Sequence, residues 1–323
     1  MRDPCGQWLQ GLRRHRTRDL YTTLQDWTQG MRLFTSVRRL QTVRRGRWFS
    51  GHRLVWISGG VVLLMGIIGL LGPIVEPYKT GAAVANGLLG PVARHPFGTD
   101  EYGRDILSRV LYGMRISIGI GFGAAIAAAI VGTLTGLYSG YRRGWPDSVI
   151  TRVQDFLLGF PPLILAMIIV GILGPSVLTP LIAAVVAFFP LFGRVIRSSA
   201  LVERNKEYVL ASRALGASPR RILLRTLLPT VLPVVYVQAA IVAAVSVQLE
   251  ASLSFLGVGV PPPTPSLGSM LSEAEGFVSI APFYAIFPGL ALAIVIGGLV
   301  VFANGLGSRQ AVNIVELEEF GKS

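Results

Sequence analysis

Apolar residues in this 323-residue chain gather into six long runs separated by polar breaks, and the runs have the length of membrane spans. They cover Leu54 to Val75, Ile116 to Tyr141, Val153 to Leu173, Val177 to Ile196, Leu227 to Phe255 and Pro282 to Asn304. At about 1.5 Å per residue, a run of some 20 helical residues crosses roughly 30 Å of hydrocarbon. In the second run Gly132, Gly136 and Gly140 recur every fourth residue, which strips one ridge of side chains and lets a neighbouring helix come close. In the third, Pro161-Pro162 removes backbone donors and predicts a bend. A bent span can line a path, although proline is also common in spans that line nothing.

The longest polar break between spans is Glu207 to Arg225, EYVLASRALGASPRRILLR. It predicts two short helices: Gly216 ends the first in the left-handed conformation, Ser218 caps the second, and Pro219 fills its first turn. Tyr208, Ala211 and Leu215 give the first helix one apolar face, with Arg213 directed elsewhere. Such a helix is placed to dock into another protein, and a solvated connecting loop is the alternative. A second polar stretch, Glu76 to Arg115, ends in an amphipathic pattern. Ile106, Leu107, Val110, Leu111 and Met114 share one face, with Arg104, Ser108, Arg109 and Tyr112 largely opposite, as for a helix lying on a membrane or against a partner.

Composition agrees with a membrane protein: 51% of residues are hydrophobic and 15% charged. The formal charge of +13 does not point to nucleic acid, because the arginines border apolar runs and form no soluble basic face. Twenty-five of the 30 Lys and Arg fall in the N-terminal segment, the 141–152 loop, the 194–225 stretch and the C-terminus. The positive-inside rule therefore places those segments, both termini included, in the cytoplasm. Residues 1–53 form an Arg-rich cytoplasmic segment able to lie on anionic lipid or simply to fix orientation, 54–305 the six-span domain, and 306–323 a cytoplasmic tail. Arg13-Arg14 and Arg44-Arg45 lie in no convincing export motif. With a single Cys5, no Cys/His metal set, no nucleophile-and-base pair and no GxxxxGK[ST] loop, the chain itself carries no catalytic or metal site, and any ATP must be bound by another chain.

Glu250 is the one ionisable residue deep in the fifth run. With Gln248 and Pro161 it is a candidate for the translocation path, the alternative being a structural hydrogen bond to a neighbouring subunit or to an outer-loop arginine. A secondary transporter or channel working without ATPases is the reading from another class, but such proteins usually show broken inverted repeats and intramembrane charge networks.

The residues from about 50 to 305 carry a resemblance. His95-Pro96-Phe97-Gly98-Thr99-Asp100, Gly103-Arg104-Asp105, Gly113-Met114-Arg115-Ile116-Ser117, Arg152 with Asp155, Phe160-Pro161, Ala214-Leu215-Gly216-Ala217-Ser218, Leu253 to Gly259 and Pro262 to Ser266 occur in order. The set resembles the dipeptide and oligopeptide permeases of ABC importers, in the second of their two permease subunits. The Glu207 stretch followed by Leu228-Pro229 resembles the EAA coupling loop, with Leu210 and Ser212 standing at its Glu and second Ala and Glu207 one turn earlier.

The resemblance implies an all-α membrane protein with six transmembrane helices in the type I importer permease fold, in the bacterial inner membrane. It also implies a coupling segment within 203–225, its contacts supplied by Glu207, Tyr208, Leu210, Ala211, Ser212, Arg213, Ala214, Leu215 and Gly216. The implied partners are a second homologous permease, two ATP-binding subunits that hold ATP and Mg, an extracytoplasmic binding protein and membrane lipid. The implied cargo is peptide, with nickel chelates, glutathione or other small solutes as alternatives.

Overall fold

The computed structural model describes residues 51–75 and 77–320. The Arg-rich N-terminal segment lies outside the described residues apart from its last three positions, and so do residues 321–323. The remainder is helical, and the only extended pairings among the described residues are three isolated bridges, Ala83 with Arg104, Val92 with His95 and Thr99 with Asp105. The helices are α1 (Gly51–Val75), α2 (Ile106–Tyr141), α3 (Trp145–Leu158), α4 (Pro162–Leu173), α5 (Leu178–Glu203), α6 (Glu207–Ala214), α7 (Pro219–Phe255), α8 (Leu267–Ala274) and α9 (Pro282–Phe320). Helices α2, α5, α7 and α9 are long and apolar enough to cross a membrane. The α3–α4 pair makes a fifth crossing if counted as one broken span, and α1 is apolar over Trp56–Gly69.

One expectation is corrected by this arrangement. The amphipathic stretch before Ile116 is not a separate surface helix, because α2 runs unbroken for 36 residues from its Asp105 cap, whose carboxylate accepts from the Ser108 N–H. The bend expected at Pro161-Pro162 is present as a break, α3 and α4 meeting at 94°. The last helix continues to Phe320, and its apolar, membrane-length part ends at Gly307.

Helix α2 is the common neighbour of the bundle, and its longest contact is with α5. Glycine makes that contact close. A Cβ on Gly132 would lie 2.8 Å from Phe192 Cβ, one on Gly136 2.5 Å from the Gly193 carbonyl oxygen, and one on Gly140 2.7 Å from Ala200 Cβ. The period-four ridge thus meets Phe192, Gly193, Ile196 and Ala200, all of them buried. Helix α3 is tied to the same α5: Asp147 accepts two hydrogen bonds from Arg197, at 2.7 and 2.8 Å, and Gln154 is buried against Gly193.

Outside the spans, residues 77–105 fold into a knot around Asp100, which has no exposed surface. One of its oxygens accepts from the Tyr102 and Arg104 N–H groups at 2.9 and 2.8 Å, and the other from the Arg104 and Arg109 guanidinium groups. Arg109 continues to Glu273 of α8 at 2.7 Å, and the Tyr284 hydroxyl of α9 donates to the same carboxylate at 3.0 Å. His95 and Asp105 pair at 2.9 Å, and Asp105 also accepts from the Ser108 hydroxyl. Gly98 and Gly103 hold positive φ of 79° and 74°, and a side chain on either would strike backbone. Ser108 and Arg109, on the polar side of that pattern, are buried: Asp105 one turn earlier meets Ser108, and Asp100 and the remote Glu273 meet Arg109.

Two outcomes follow for stability. Gly136→Val should lower the stability of detergent-solubilised protein by about 1–3 kcal/mol, since two backbones must part, whereas Gly60→Val, where a Cβ meets nothing, should leave the melting temperature unchanged. Arg109→Ala takes one of two guanidinium groups from the buried Asp100 and the 2.7 Å partner from Glu273, and should cost about 1–3 kcal/mol, read as loss of monodisperse protein on size exclusion.

Candidate functional site

The stretch after α5 folds as its capping residues require. Gly216 has φ of 78°; its N–H reaches the Arg213 carbonyl at 2.9 Å and the Ala217 N–H reaches Ser212 at 3.0 Å, the paired bonds of a Schellman stop. The Ser218 hydroxyl then accepts from the Arg221 N–H, Pro219 occupies the first turn, and a π-helical segment at Ile222–Leu227 continues into the rest of α7. Helix α6 buries only Val209 among its own residues.

Its attachments run to the Tyr141 end of α2. The Arg204 guanidinium donates to the Tyr141 and Gly140 carbonyls at 3.1 and 3.3 Å, closing α2 where its last carbonyls lack helical partners. The Arg213 guanidinium lies 4.8 Å from the Tyr141 ring centre, a cation–π contact. The Tyr208 hydroxyl donates to Glu203, which also pairs with Lys206 at 2.7 Å. Burial, with that carboxylate as hydrogen-bond partner, pushes the Tyr208 phenol above its ordinary range, so it keeps the proton it donates. Burial draws Arg204 below its ordinary value, and nearby Arg143 and Arg213 add repulsion.

What remains uncovered is apolar. Leu215 is 88% exposed and Leu210 50% exposed, with Ala211 and Ala214 beside them and Glu207 at the start of the helix. Ser212 is turned back, its hydroxyl donating to the Tyr208 carbonyl. A cleft of about 400 Å³ between Ser218, Arg220, Arg221, Leu224 and Arg225 adjoins the turn. The nine residues expected for coupling thus form one small projection, with Leu210 and Leu215 as its exposed apolar contacts. Arg204 and Tyr141, which fix it, were not foreseen, because 63 residues separate them and no spacing rule links them.

The three residues expected on the path do not come together. Gln248 and Pro161 are exposed, whereas Glu250 has no exposed surface. Its carboxylate accepts from the Ser254 hydroxyl at 2.8 Å and is faced by Ser117 of α2 and Ser266 at the cap of α8. The groups that face Glu250 are thus serines of its own chain, neither an outer-loop arginine nor a neighbouring subunit. Among the described residues the group of carboxylates able to approach a metal is Asp100, Glu101 and Glu273, and Arg104 and Arg109 already lie against it.

The model of the family described as binding-protein-dependent transport system inner membrane component matches residues 132–310. The dipeptide transport system permease protein DppC of Alkalihalophilus pseudofirmus is 39% identical over 252 residues, covering 76% of this chain and 82% of the relative. DppC of Haemophilus influenzae is 35% identical over 80% of this chain and 90% of the relative. The glutathione transport system permease protein GsiD of Escherichia coli O157:H7 is 36% identical over 80% and 86%. Among solved structures, the inward-facing MetNI methionine ABC transporter aligns with a TM-score of 0.50 at 20% identity, over 63% of this chain and 95% of the other, which shows the fold. The chain therefore belongs to the family of inner-membrane components of binding-protein-dependent transport systems.

Proposed function

We propose that this permease subunit of an ATP-driven importer carries peptides, glutathione among them, and takes up the motion of separate ATPases through α6. Its partners are a second homologous permease, two ATP-binding subunits that hold ATP and Mg, and an extracytoplasmic binding protein that delivers cargo. The names of its relatives support the cargo, and the projecting α6 with its exposed Leu215 supports the coupling. Leu210 and Leu215 enter an apolar cleft of the ATPase, and Glu207 supplies the carboxylate at this surface that the family signature would place at Leu210.

Force then has two routes into the spans. One is covalent, from α6 into α5 and α7. The other runs through Arg204 and Arg213 onto the end of α2. Because α2 and α5 are locked along the glycine ridge, they move as one body, which suits a switch between two packings of rigid parts. Gln248 and Pro161 face the path, and Glu250 fastens α7 to α2 and α8 behind it. Residues 54–305 form the permease domain of a bacterial inner-membrane protein, with residues 1–53, α6 and the C-terminal residues in the cytoplasm, as the distribution of Lys and Arg requires.

Purification of the intact assembly tests this reading directly: an ATPase and a second permease should accompany the chain, and recovery of the chain alone would refute it. Leu215→Glu, which puts a charge into the apolar contact, should cut uptake of a labelled dipeptide at least tenfold while membrane insertion is unchanged. Arg204→Ala should leave the ATPases bound and hydrolysing while uptake per ATP falls severalfold; an unchanged uptake-to-hydrolysis ratio would show that α2 receives no motion through this residue.

A further inference from the structure

Between α1 and α2 lies an open groove of about 490 Å³, bounded by Gly59, Val62, Leu63, Gly66, Ile67 and Gly69 on one side and Ile118 and Phe122 on the other, with Arg115 at one end. Its lining is apolar and is left open at Gly66, where a Cβ would meet nothing within 4 Å. Arg115 is exposed, and no hydrogen bond, ion pair or ring contact engages its side chain among the described residues. A free guanidinium at the mouth of an apolar groove in a membrane-spanning helix is open to an anionic partner.

Depth decides which counter-charge is at hand. Arg115 stands 26 residues before Tyr141, so the two are separated by about 39 Å along α2. With the Tyr141 end at the cytoplasmic boundary, a hydrocarbon layer of about 30 Å ends some 9 Å short of Arg115, which places the guanidinium in the outer headgroup layer. The groove leads from there inward along α1 from Gly69 to Gly59, about 15 Å, or half the hydrocarbon thickness.

We propose that this groove is a phospholipid site of the outer leaflet, in which the lipid phosphodiester pairs with Arg115 and one acyl chain lies between α1 and α2. The reading rests on the orientation proposed above. An arginine can hold a phosphate with two hydrogen bonds, the volume suits a small-molecule ligand, and the apolar lining, open at Gly66, admits a flexible acyl chain. A helix from a neighbouring subunit would fill the apolar part and leave Arg115 without an anion, whereas the outer leaflet supplies phosphate wherever the protein stands.

The test uses the assembled transporter in bilayers of phosphatidylethanolamine and phosphatidylglycerol, extracted in mild detergent, with retained lipid counted by native mass spectrometry. Wild-type assembly should keep one phospholipid per copy of this chain. Arg115→Gln should lower that occupancy at least tenfold, Arg115→Lys should largely keep it, and Gly66→Phe, whose ring enters the groove without a backbone clash, should abolish it. Equal retention by wild type, Arg115→Gln and Gly66→Phe, or none by wild type, would overturn the site. So would a cross-link from Gly66→Cys to the second permease. In a Cys5→Ser background, labelling of Arg115→Cys by an impermeant thiol reagent from the cytoplasmic side alone would overturn the orientation instead, and with it the outer-leaflet assignment.

Discussion

The near-contact of two backbones, α2 against α5, is the constraint from which the remaining architecture follows. Along Gly132, Gly136 and Gly140 the helices approach so closely that a single added methyl group would collide with main chain or with a buried side chain. In a lipid environment no gain in apolar burial draws helices together, so dispersion between close surfaces has to do it. Once α5 is fixed on α2, Arg197 fixes α3, Glu203 leads directly into α6, and Arg204 reaches back to the carbonyls that end α2. The membrane core and the cytoplasmic projection are therefore one piece of packing.

The opposite end of α2 is secured by different physics. There the chain buries charges, which is costly unless every lone pair and donor is met. Asp100 meets that condition with two backbone N–H groups and two guanidinium groups, and Arg109 carries the chain of contacts on to Glu273 and Tyr284. Helices α2, α8 and α9 and the 77–105 segment are thereby joined by hydrogen bonds at this end, while the glycine ridge toward the other end adds close van der Waals contact. Glu250 adds a third point between them, a carboxylate among serines from three separate segments.

Features that depend on neighbours in sequence were legible before any coordinates. The Gly216 stop, the Ser218 cap and the Pro219 start are decided by φ preference and by donors a few residues away, so composition suffices to place them. The glycine ridge was legible for a related reason, since helical period alone puts the three residues on one line. What escaped detection depends on partners remote in sequence. Arg109 looked like a surface residue because the carboxylate of Glu273, 164 positions later, is invisible to periodicity. Pro161-Pro162 announced a bend, but its 94° was set by the anchoring of α3 to α5 through Asp147 and Arg197. Glu250 suggested a path residue for the same reason: Ser117 and Ser266 could not be seen beside it.

Arg204 serves at two moments in the life of the protein. During insertion, in the orientation proposed above, its charge is one of many that hold this loop in the cytoplasm, and the same charge at a neighbouring position would do as well. In the finished structure one nitrogen of its guanidinium reaches two adjacent carbonyls of α2, a task that depends on its place in the chain and not on its charge alone. A chain with that charge moved along the loop would thus be born with the correct topology and mature with a frayed α2, so faithful biogenesis gives no assurance that the working part was built.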